Sequence, residues 1–282
     1  MGPDLPHNSG PMRPVSASMP LGTIVNPRQT VGMAARTVAS NFAACAVLGA
    51  MSKAIPQRAQ GETVVGWPIY IGGQLGDGKA FAAAATSSCG MGARNGKDGI
   101  SCSYFAWNMR NYPVEMLETQ IDRLLFEKKQ LRADSGGPGL YRGGCGQEVE
   151  IRIVGDGPMT CAPVADRIQF PAQGMSGGQP GATGVLLLNG KPIEAKRRIA
   201  PQGGDCVTMH TPGGGGFGDP WERDPARVLA DVLAGLVSPE QAAASYGVQI
   251  DTATKTVDAK ATAEIRRSRL LERGRDRGTK GN

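Results

Sequence analysis

The sequence predicts an α+β fold, with a β-rich central region, flanking helices and a helical C-terminus. Apolar and charged residues alternate over 148–154, which is the pattern of a half-buried strand. Asn189 and Gly190 form the dipeptide that most strongly favours a tight β-hairpin, here within 184–193. Apolar residues recur at helical spacing in three other segments, which predicts helices over 27–54, 113–129 and 225–246.

Residue types that start and stop helices support these bounds. Asn26 is a suitable N-cap, and Pro27 suits the first helical position. In the C-terminal region, Asp224 is expected to begin one helix and the capping box at Ser238 to begin another. Gly247 is expected to end the latter, because glycine readily adopts the left-handed conformation that closes a helix.

Further strands are predicted on both sides of the second helix. Before it, the runs TVVGWPIYIGG, KAFAAAATSS and ISCSYFAW begin at residues 63, 79 and 100. After it, the segments 165–170 and 205–209 also have the apolar content of strands. Glycine is unusually frequent, with 41 residues in 282, about twice the usual share. Many turns or close backbone contacts are therefore expected.

The charge is concentrated at the C-terminus. Residues 264–282 hold seven Lys or Arg against three Asp or Glu, a net charge of +4 out of +6 for the chain. We expect a main body over 1–262 and a basic, flexible tail over 263–282. Because the body is close to neutral, no nucleic-acid partner is predicted, and a nucleic-acid hypothesis would rest on the tail alone.

The chain shows no sign of a membrane or secreted location. Its longest apolar run, over 42–51, is too short to cross a bilayer. None of the six cysteines forms a CxxC pair, and the first residues lack the apolar core of a signal peptide. We expect a cytoplasmic protein with reduced thiols and no membrane partner.

The run HTPGGGGFGDP, over 210–220, raises the question of a phosphate-binding loop. A Walker A loop needs a lysine and a hydroxyl residue directly after its glycines, because these hold the phosphates and the metal. Here Phe217, Gly218 and Asp219 follow instead. The alternative interpretation is a close-packed loop, in which glycines allow two backbones to approach.

The segment 211–248, TPGGGGFGDPWERDPARVLADVLAGLVSPEQAAASYGV, resembles the C-terminal signature of hydantoinase B proteins. These are the B-type subunits of ATP-dependent N-methylhydantoinases, 5-oxoprolinases, and acetone and acetophenone carboxylases. Four other blocks are similar in the same order, so that the resemblance covers nearly the whole chain; they span 7–27, 111–118, 134–153 and 174–184.

One departure from the family is large. Its B-type subunits are about twice as long, and their N-terminal half carries the His and Asp residues that bind a metal in the carboxylase members. This chain has only two histidines, His7 and His210. We therefore expect a C-terminal portion without a metal site of its own, working beside an N-terminal B-type half; a misassigned start or a truncation are the alternatives.

The resemblance implies a division of labour between subunits. An A-type ATPase partner would bind ATP and activate a carbonyl by phosphorylation. The B-type subunit would complete the hydrolysis of a cyclic amide, such as an N-methylhydantoin or 5-oxoproline, and a divalent metal could take part elsewhere in the complex. The alternatives are ATP-dependent carboxylation of a ketone and, in a different class, a non-catalytic structural subunit.

The candidate site residues lie in the glycine-rich blocks. Asp134 and Ser135 could orient a water or a ligand, Arg142 could bind an anionic intermediate through two hydrogen bonds, and His210 precedes the glycine run. The alternatives are structural: Asp134 capping a turn, Arg142 forming an ion pair and Asp219 bonding to its own loop. The remaining candidates form the substrate loops: Gly143, Gly144, Gly213, Gly214, Gly215, Gly216 and Asp219.

Overall fold

A computed structural model describes residues 13, 16, 18–30, 32, 36–103 and 112–279, except for the side chains of Thr37 and of 272–279. Within these residues the fold is α+β with a helical C-terminal region, as predicted. The helices are α1 (Arg36–Ala54), α2 (Val114–Gln120), α3 (Pro225–Leu233), α4 (Pro239–Tyr246) and α5 (Ala259–Thr279). The main strands are β1 (Trp67–Gln74), β2 (Ala80–Ser87), β3 (Leu124–Leu131), β4 (Gln147–Ile153), β5 (Met159–Pro163), β6 (Val185–Leu188), β7 (Lys191–Pro192) and β8 (Cys206–His210), followed by the short β9 (Ile250–Asp251) and β10 (Thr256–Val257).

Two antiparallel sheets contain the main strands. One has the order β2-β1-β5 and the other β3-β4-β8-β6-β7. The inward-facing residues of both sheets belong to one buried cluster, to which β1 contributes Trp67 and Ile69, and β4 contributes Val149 and Ile151. Because both sheets share this core, the strands hold the glycine-rich connections between them in fixed positions.

Strand β4 and the β6–β7 hairpin confirm the two strongest local predictions. Along β4, residues alternate between buried and half-buried, as expected for a strand with one face on the core. Asn189 and Gly190 connect β6 and β7 with positive φ angles of 51° and 74°. Both central residues of a type I′ turn require positive φ, which explains the position of this dipeptide.

The predicted helix over 113–129 is wrong in its second half. The helix α2 ends at Gln120, and the chain continues as strand β3, which pairs with β4. Arg123 fixes this change of direction, because its guanidinium donates to the carbonyl oxygens of Val154, Gly155 and Gln74. Tertiary pairing with β4 therefore overrides the helical spacing of the apolar residues.

Three other predicted elements also differ from the structure. The first helix begins at Arg36, and the described residues 27–30 are not helical. Asn26 does not cap it: its Nδ2 donates to the carbonyl oxygen of Met19, and its backbone N–H closes a turn with Thr23. The predicted strand over 165–170 is a loop, since Arg167 has a φ of 53°, outside the extended region. Of the predicted strand ISCSYFAW, the first four residues are irregular and 104–107 lie outside the described residues.

The caps predicted for the C-terminal helices are confirmed, and 225–246 holds the two helices that these caps predict. The side chain of Asp224 accepts from Ala226 N at the start of α3, and that of Ser238 accepts from Gln241 N at the start of α4. Gly247 ends α4 in the left-handed conformation. Residues 263–279 of the basic segment lie in α5, where Arg266 donates to the carbonyl oxygens of Arg223 and Tyr246. No helix within the described part of the chain combines the length and the apolar character needed to cross a bilayer.

Candidate functional site

The glycine run lies at the centre of a bundle of extended segments. We call this the glycine bundle; it consists of residues 59–64, 88–100, 134–146, 172–184 and 211–218. The run contacts all four other segments through backbone hydrogen bonds or close backbone approach. Gly213 N donates to Ala182 O, Gly214 N to Gly144 O, Gly215 N to Glu62 O and Gly216 N to Gln179 O, at 2.9 to 3.3 Å.

Only glycine fits these positions. A Cβ atom on Gly213 would lie 1.8 Å from Ser135 O, and one on Gly214 would lie 2.3 Å from the carbonyl of Met91. On Gly143 it would meet Gly214 O at 2.0 Å, and on Gly144 it would meet Ile100 O at 2.1 Å. The atoms nearest to each position belong to the backbone, so a clash could not be relieved by a change of side-chain rotamer.

These contacts confirm that the run is a close-packed loop. A phosphate-binding loop must direct its amide groups at the ligand, whereas the four amides of Gly213–Gly216 are used inside the protein. The amides of Gly143 and Gly144 likewise donate to Gly137 O and Met91 O. A direct contact between these glycines and a substrate stays a prediction.

Asp134 connects the bundle to the C-terminal helices, and Ser135 connects the two ends of the segment 132–146. Asp134 has a φ of 58°, and its Oδ1 accepts from the backbone N–H of Ser238 at 2.7 Å. The buried hydroxyl of Ser135 donates to Arg132 O and accepts from Gly146 N. These contacts are of the kind expected from a structural role, and a contact with water or substrate stays a prediction.

Arg142 belongs to a cluster of three arginines and two aspartates. We call it the Arg–Asp cluster: Asp98, Arg142, Arg223, Arg227 and Asp231. Arg142 Nε lies 3.4 Å from Asp231 Oδ1, and Arg223 Nη2 lies 2.7 Å from Asp231 Oδ2. Arg223 also binds both carboxylate oxygens of Asp98, at 2.8 and 3.0 Å.

The cluster connects the glycine bundle to α3. Asp98 Oδ1 accepts from the backbone N–H of Arg142 at 2.7 Å, and Asp231 lies on α3. Arg223 is only 1% exposed in its side chain. Burial opposes ionisation of Asp98, but hydrogen bonds and charge from Arg223 hold the pKa of this carboxyl below its usual value. Burial alone would lower the pKa of the Arg223 guanidinium, but its hydrogen bonds to Asp98 and the negative charges of Asp231 and Asp98 raise it. Both groups therefore remain charged at neutral pH.

Replacing Asp98 by asparagine is expected to remove an acid-sensitive contribution to stability. The pKa of Asp98 in the folded chain lies below the ordinary value of 3.8. Its ion pairs are thus fully formed above that pH, and their contribution is lost as the pH falls through the lowered folded value. The difference in free energy of unfolding between wild type and Asp98→Asn should be constant from about pH 7 to about pH 5 and shrink in stronger acid. Urea denaturation from about pH 7 to below pH 3.8 measures it; a difference that does not shrink in the acid part of this range would contradict the assignment.

His210 is the last residue of β8 and lies opposite Glu148 of β4. Its neighbour Met209 is in the core, so the half-buried imidazole faces the other side of the sheet. Partial burial lowers the pKa of His210 from its usual value, although Glu148 acts in the opposite direction. The imidazole is therefore neutral at pH 7 and can accept a proton there. Its role as a catalytic group stays a prediction.

Asp219 caps the turn after the glycine run. Its Oδ1 accepts from Trp221 N at 3.0 Å, which confirms the interpretation that it bonds to its own loop. One group of potential metal ligands occurs among the described residues, formed by Glu127, Glu150 and Cys206. The guanidinium of Arg152, however, already binds both carboxylate oxygens of Glu127.

Of the five residues in the Arg–Asp cluster, only Arg142 was predicted from the sequence as a site residue. Asp98 and Arg223 are 125 positions apart, and no local pattern relates them. The charged segment after the glycine run, 219-DPWERDP-225, contains Arg223. Its composition is typical of helix caps and turns, and it does not indicate a buried ion pair.

Relatives of the chain include the B-type component of a "Putative D-/L-hydantoinase" from Pseudomonas sp. (strain NS671). The two are 30% identical over 274 residues, which is 94% of this chain and 45% of that protein. The beta subunit of the caprolactamase from Pseudomonas jessenii is 31% identical over 87% of this chain and 45% of its own length. This chain therefore spans less than half the length of these relatives.

Two further comparisons concern the fold and the family. The crystal structure of ATP-dependent caprolactamase from Pseudomonas jessenii superposes with a TM-score of 0.76 at 27% identity, over 89% of this chain and 46% of that one. The family model described as Hydantoinase B/oxoprolinase matches residues 1–220. Because this match covers more than half of the sequence, the chain belongs to the Hydantoinase B/oxoprolinase family.

Proposed function

We propose that this chain is the C-terminal portion of a B-type subunit in an ATP-dependent enzyme that hydrolyses a cyclic amide. The substrate would belong to the N-methylhydantoin or 5-oxoproline class. An A-type ATPase subunit would bind the ATP, and an N-terminal B-type half would complete the subunit. The main body would extend over 1–262, and the complex would act in the cytoplasm, where the six cysteines remain free thiols.

The likeness to the ATP-dependent caprolactamase carries this proposal. It covers 89% of the chain at a TM-score of 0.76, and the name of that enzyme describes the ATP-dependent opening of a lactam. A relative named as part of a hydantoinase, 30% identical, supports the same reaction class. The internal use of the Gly213–Gly216 amides also fits an ATP site outside the glycine run.

A reconstitution experiment tests the proposal. The chain is purified alone and in complex with its A-type and N-terminal B-type partners. Each preparation receives ATP with N-methylhydantoin, 5-oxoproline or caprolactam, and ADP and the ring-opened product are quantified by chromatography. We expect one of these cyclic amides to be opened in step with ADP formation by the full complex only.

The controls separate the alternatives. A complex that lacks this chain should lose turnover, and full activity without it would contradict the proposal. Turnover by the isolated chain would exclude the purely structural alternative. ADP formation that requires acetone and bicarbonate rather than a cyclic amide would favour ketone carboxylation. ATP hydrolysis by the isolated chain would contradict the assignment of the ATP site to the partner.

A further inference from the structure

A surface cleft lies apart from the Arg–Asp cluster and the glycine run. It has a volume of about 450 Å³ and lies between the loop 165–170, the segment 193–196 and Phe42 of α1. We call it the Arg167 cleft. None of the candidate residues from the sequence analysis lines it.

Arg167 lines this cleft, and its buried guanidinium is only partly used in hydrogen bonds. The side chain is 7% exposed, and its Nη1 lies 2.9 Å from Glu62 Oε2 and donates to Pro171 O. Among the described residues, Nε and Nη2 have no hydrogen-bond partner. Unpaired buried donors are costly. Two parallel N–H groups of this kind match the two oxygens of a carboxylate.

The adjacent Asp166 has an unused acceptor. Its side chain lines the same cleft, and the residue is 8% exposed. The Oδ1 atom accepts from the indole Nε1 of Trp67 at 2.9 Å, whereas Oδ2 has no partner within the described part of the chain. Burial raises the pKa of Asp166, with Trp67, Arg167 and Lys196 opposing this effect. A cationic group bound beside Oδ2 would favour the ionised carboxylate.

Apolar side chains form the walls of the cleft. The ring of Phe42 lies 4.5 Å from the guanidinium carbon of Arg167, and Ile168, Phe170 and Ile193 line the remaining surface. Phe42 is 39% exposed and Phe170 is more exposed still. Exposed side chains change rotamer within nanoseconds, so these rings can turn to admit a ligand to the polar groups beneath them.

We propose that the Arg167 cleft binds a small amino carboxylate. Its carboxylate would accept two hydrogen bonds from Nε and Nη2 of Arg167. Its amino group would donate to Oδ2 of Asp166, and its apolar chain would lie between the two phenylalanine rings. The inference deepens the proposed function and rests on it for the choice of ligand, because hydrolysis of a lactam such as 5-oxoproline leaves an amine and a carboxylate in one molecule.

Isothermal titration calorimetry with three probes tests this site. The probes are 6-aminohexanoate, hexanoate and hexylamine, added to the whole chain without ATP or partner subunits. We expect 6-aminohexanoate to bind most tightly, and Arg167→Lys to weaken it at least about tenfold, because lysine retains the charge beside Glu62 without the paired donors. Asp166→Asn should remove the preference for 6-aminohexanoate over hexanoate and leave hexanoate binding unchanged.

Arg198→Gln is the matched control, since Arg198 is an exposed arginine just beyond the cleft; it should bind 6-aminohexanoate as wild type does. Circular dichroism establishes whether each variant is folded. If a variant does not fold, the titration of wild type with hexylamine, which should not bind, tests the proposal instead. Absence of 6-aminohexanoate binding by wild type, equal binding of hexylamine, or unchanged binding by folded Arg167→Lys would overturn the proposal. Because no turnover is measured, these outcomes are independent of the reconstitution experiment.

Discussion

Replacing Gly214 by alanine is expected to destabilise the chain by at least about 3 kcal/mol and to disrupt the glycine bundle. The added Cβ would lie 2.3 Å from both the carbonyl carbon and the oxygen of Met91, and 2.6 Å from Gly92 N. Each of these atoms belongs to the backbone of a neighbouring segment. The steric clash can therefore be relieved only if whole segments move apart. Guanidinium denaturation followed by circular dichroism measures the free energy of unfolding.

Gly49→Ala provides the control for this substitution. Gly49 lies in α1, and a methyl carbon added there would have Met175 Cε as its nearest neighbour at 3.9 Å, an ordinary contact distance. Alanine favours a helix over glycine by about 0.5 to 1 kcal/mol, so this variant should be as stable as wild type or more stable. Similar losses in both variants would show that the bundle does not have the close packing described.

The second large effect is expected from Arg223→Ala. Arg223 is almost completely buried and connects Asp98 to Asp231. Its removal would leave Asp231 with only Arg142, at 3.4 Å, and Asp98 with the exposed Arg227. Loss of a buried partner from an ion pair costs about 3 to 5 kcal/mol. The variant should unfold at lower denaturant concentration, and its α3 amides should exchange faster with solvent, because the cluster connects α3 to the bundle.

Arg227→Ala tests whether burial is the cause. Arg227 binds the same carboxylate, with Nη2 at 2.7 Å from Asp98 Oδ2, but its side chain is 43% exposed. Exposed ion pairs contribute about 0 to 1 kcal/mol, so that this variant should stay close to wild type. Equal destabilisation by the two substitutions would argue against a dominant role for the buried pair.

Local signals in the sequence predicted the elements that depend on local physics. Alternation identified β4, the Asn189–Gly190 dipeptide identified the hairpin, and Asp224, Ser238 and Gly247 marked the ends of α3 and α4. Each of these depends on dihedral preferences or on hydrogen bonds between residues close in the chain. Such features can be read from a short window of sequence.

Contacts between distant segments could not be predicted in the same way. The apolar residues of 121–125 fit either a helix or a strand, and pairing with β4 decides the outcome. Arg142 was a candidate for anion binding, but Asp231 on α3 is 3.4 Å from its Nε. Similarly, the glycine run predicts close packing but not the segments that it packs against. Glycine has no side chain, so its position shows no polar or apolar pattern that would identify a neighbour.

The glycine bundle also bears on how the chain reaches its native state. Its contacts join residues as distant as Glu62 and Gly215, and Met91 and Gly144. Closing such long loops costs entropy before any contact forms, and folds rich in distant contacts are slow to form. The central run lies at 211–218, so the bundle cannot be completed until that part of the chain has been synthesised. Slow folding, rather than low stability of the folded state, is the consequence expected from this architecture.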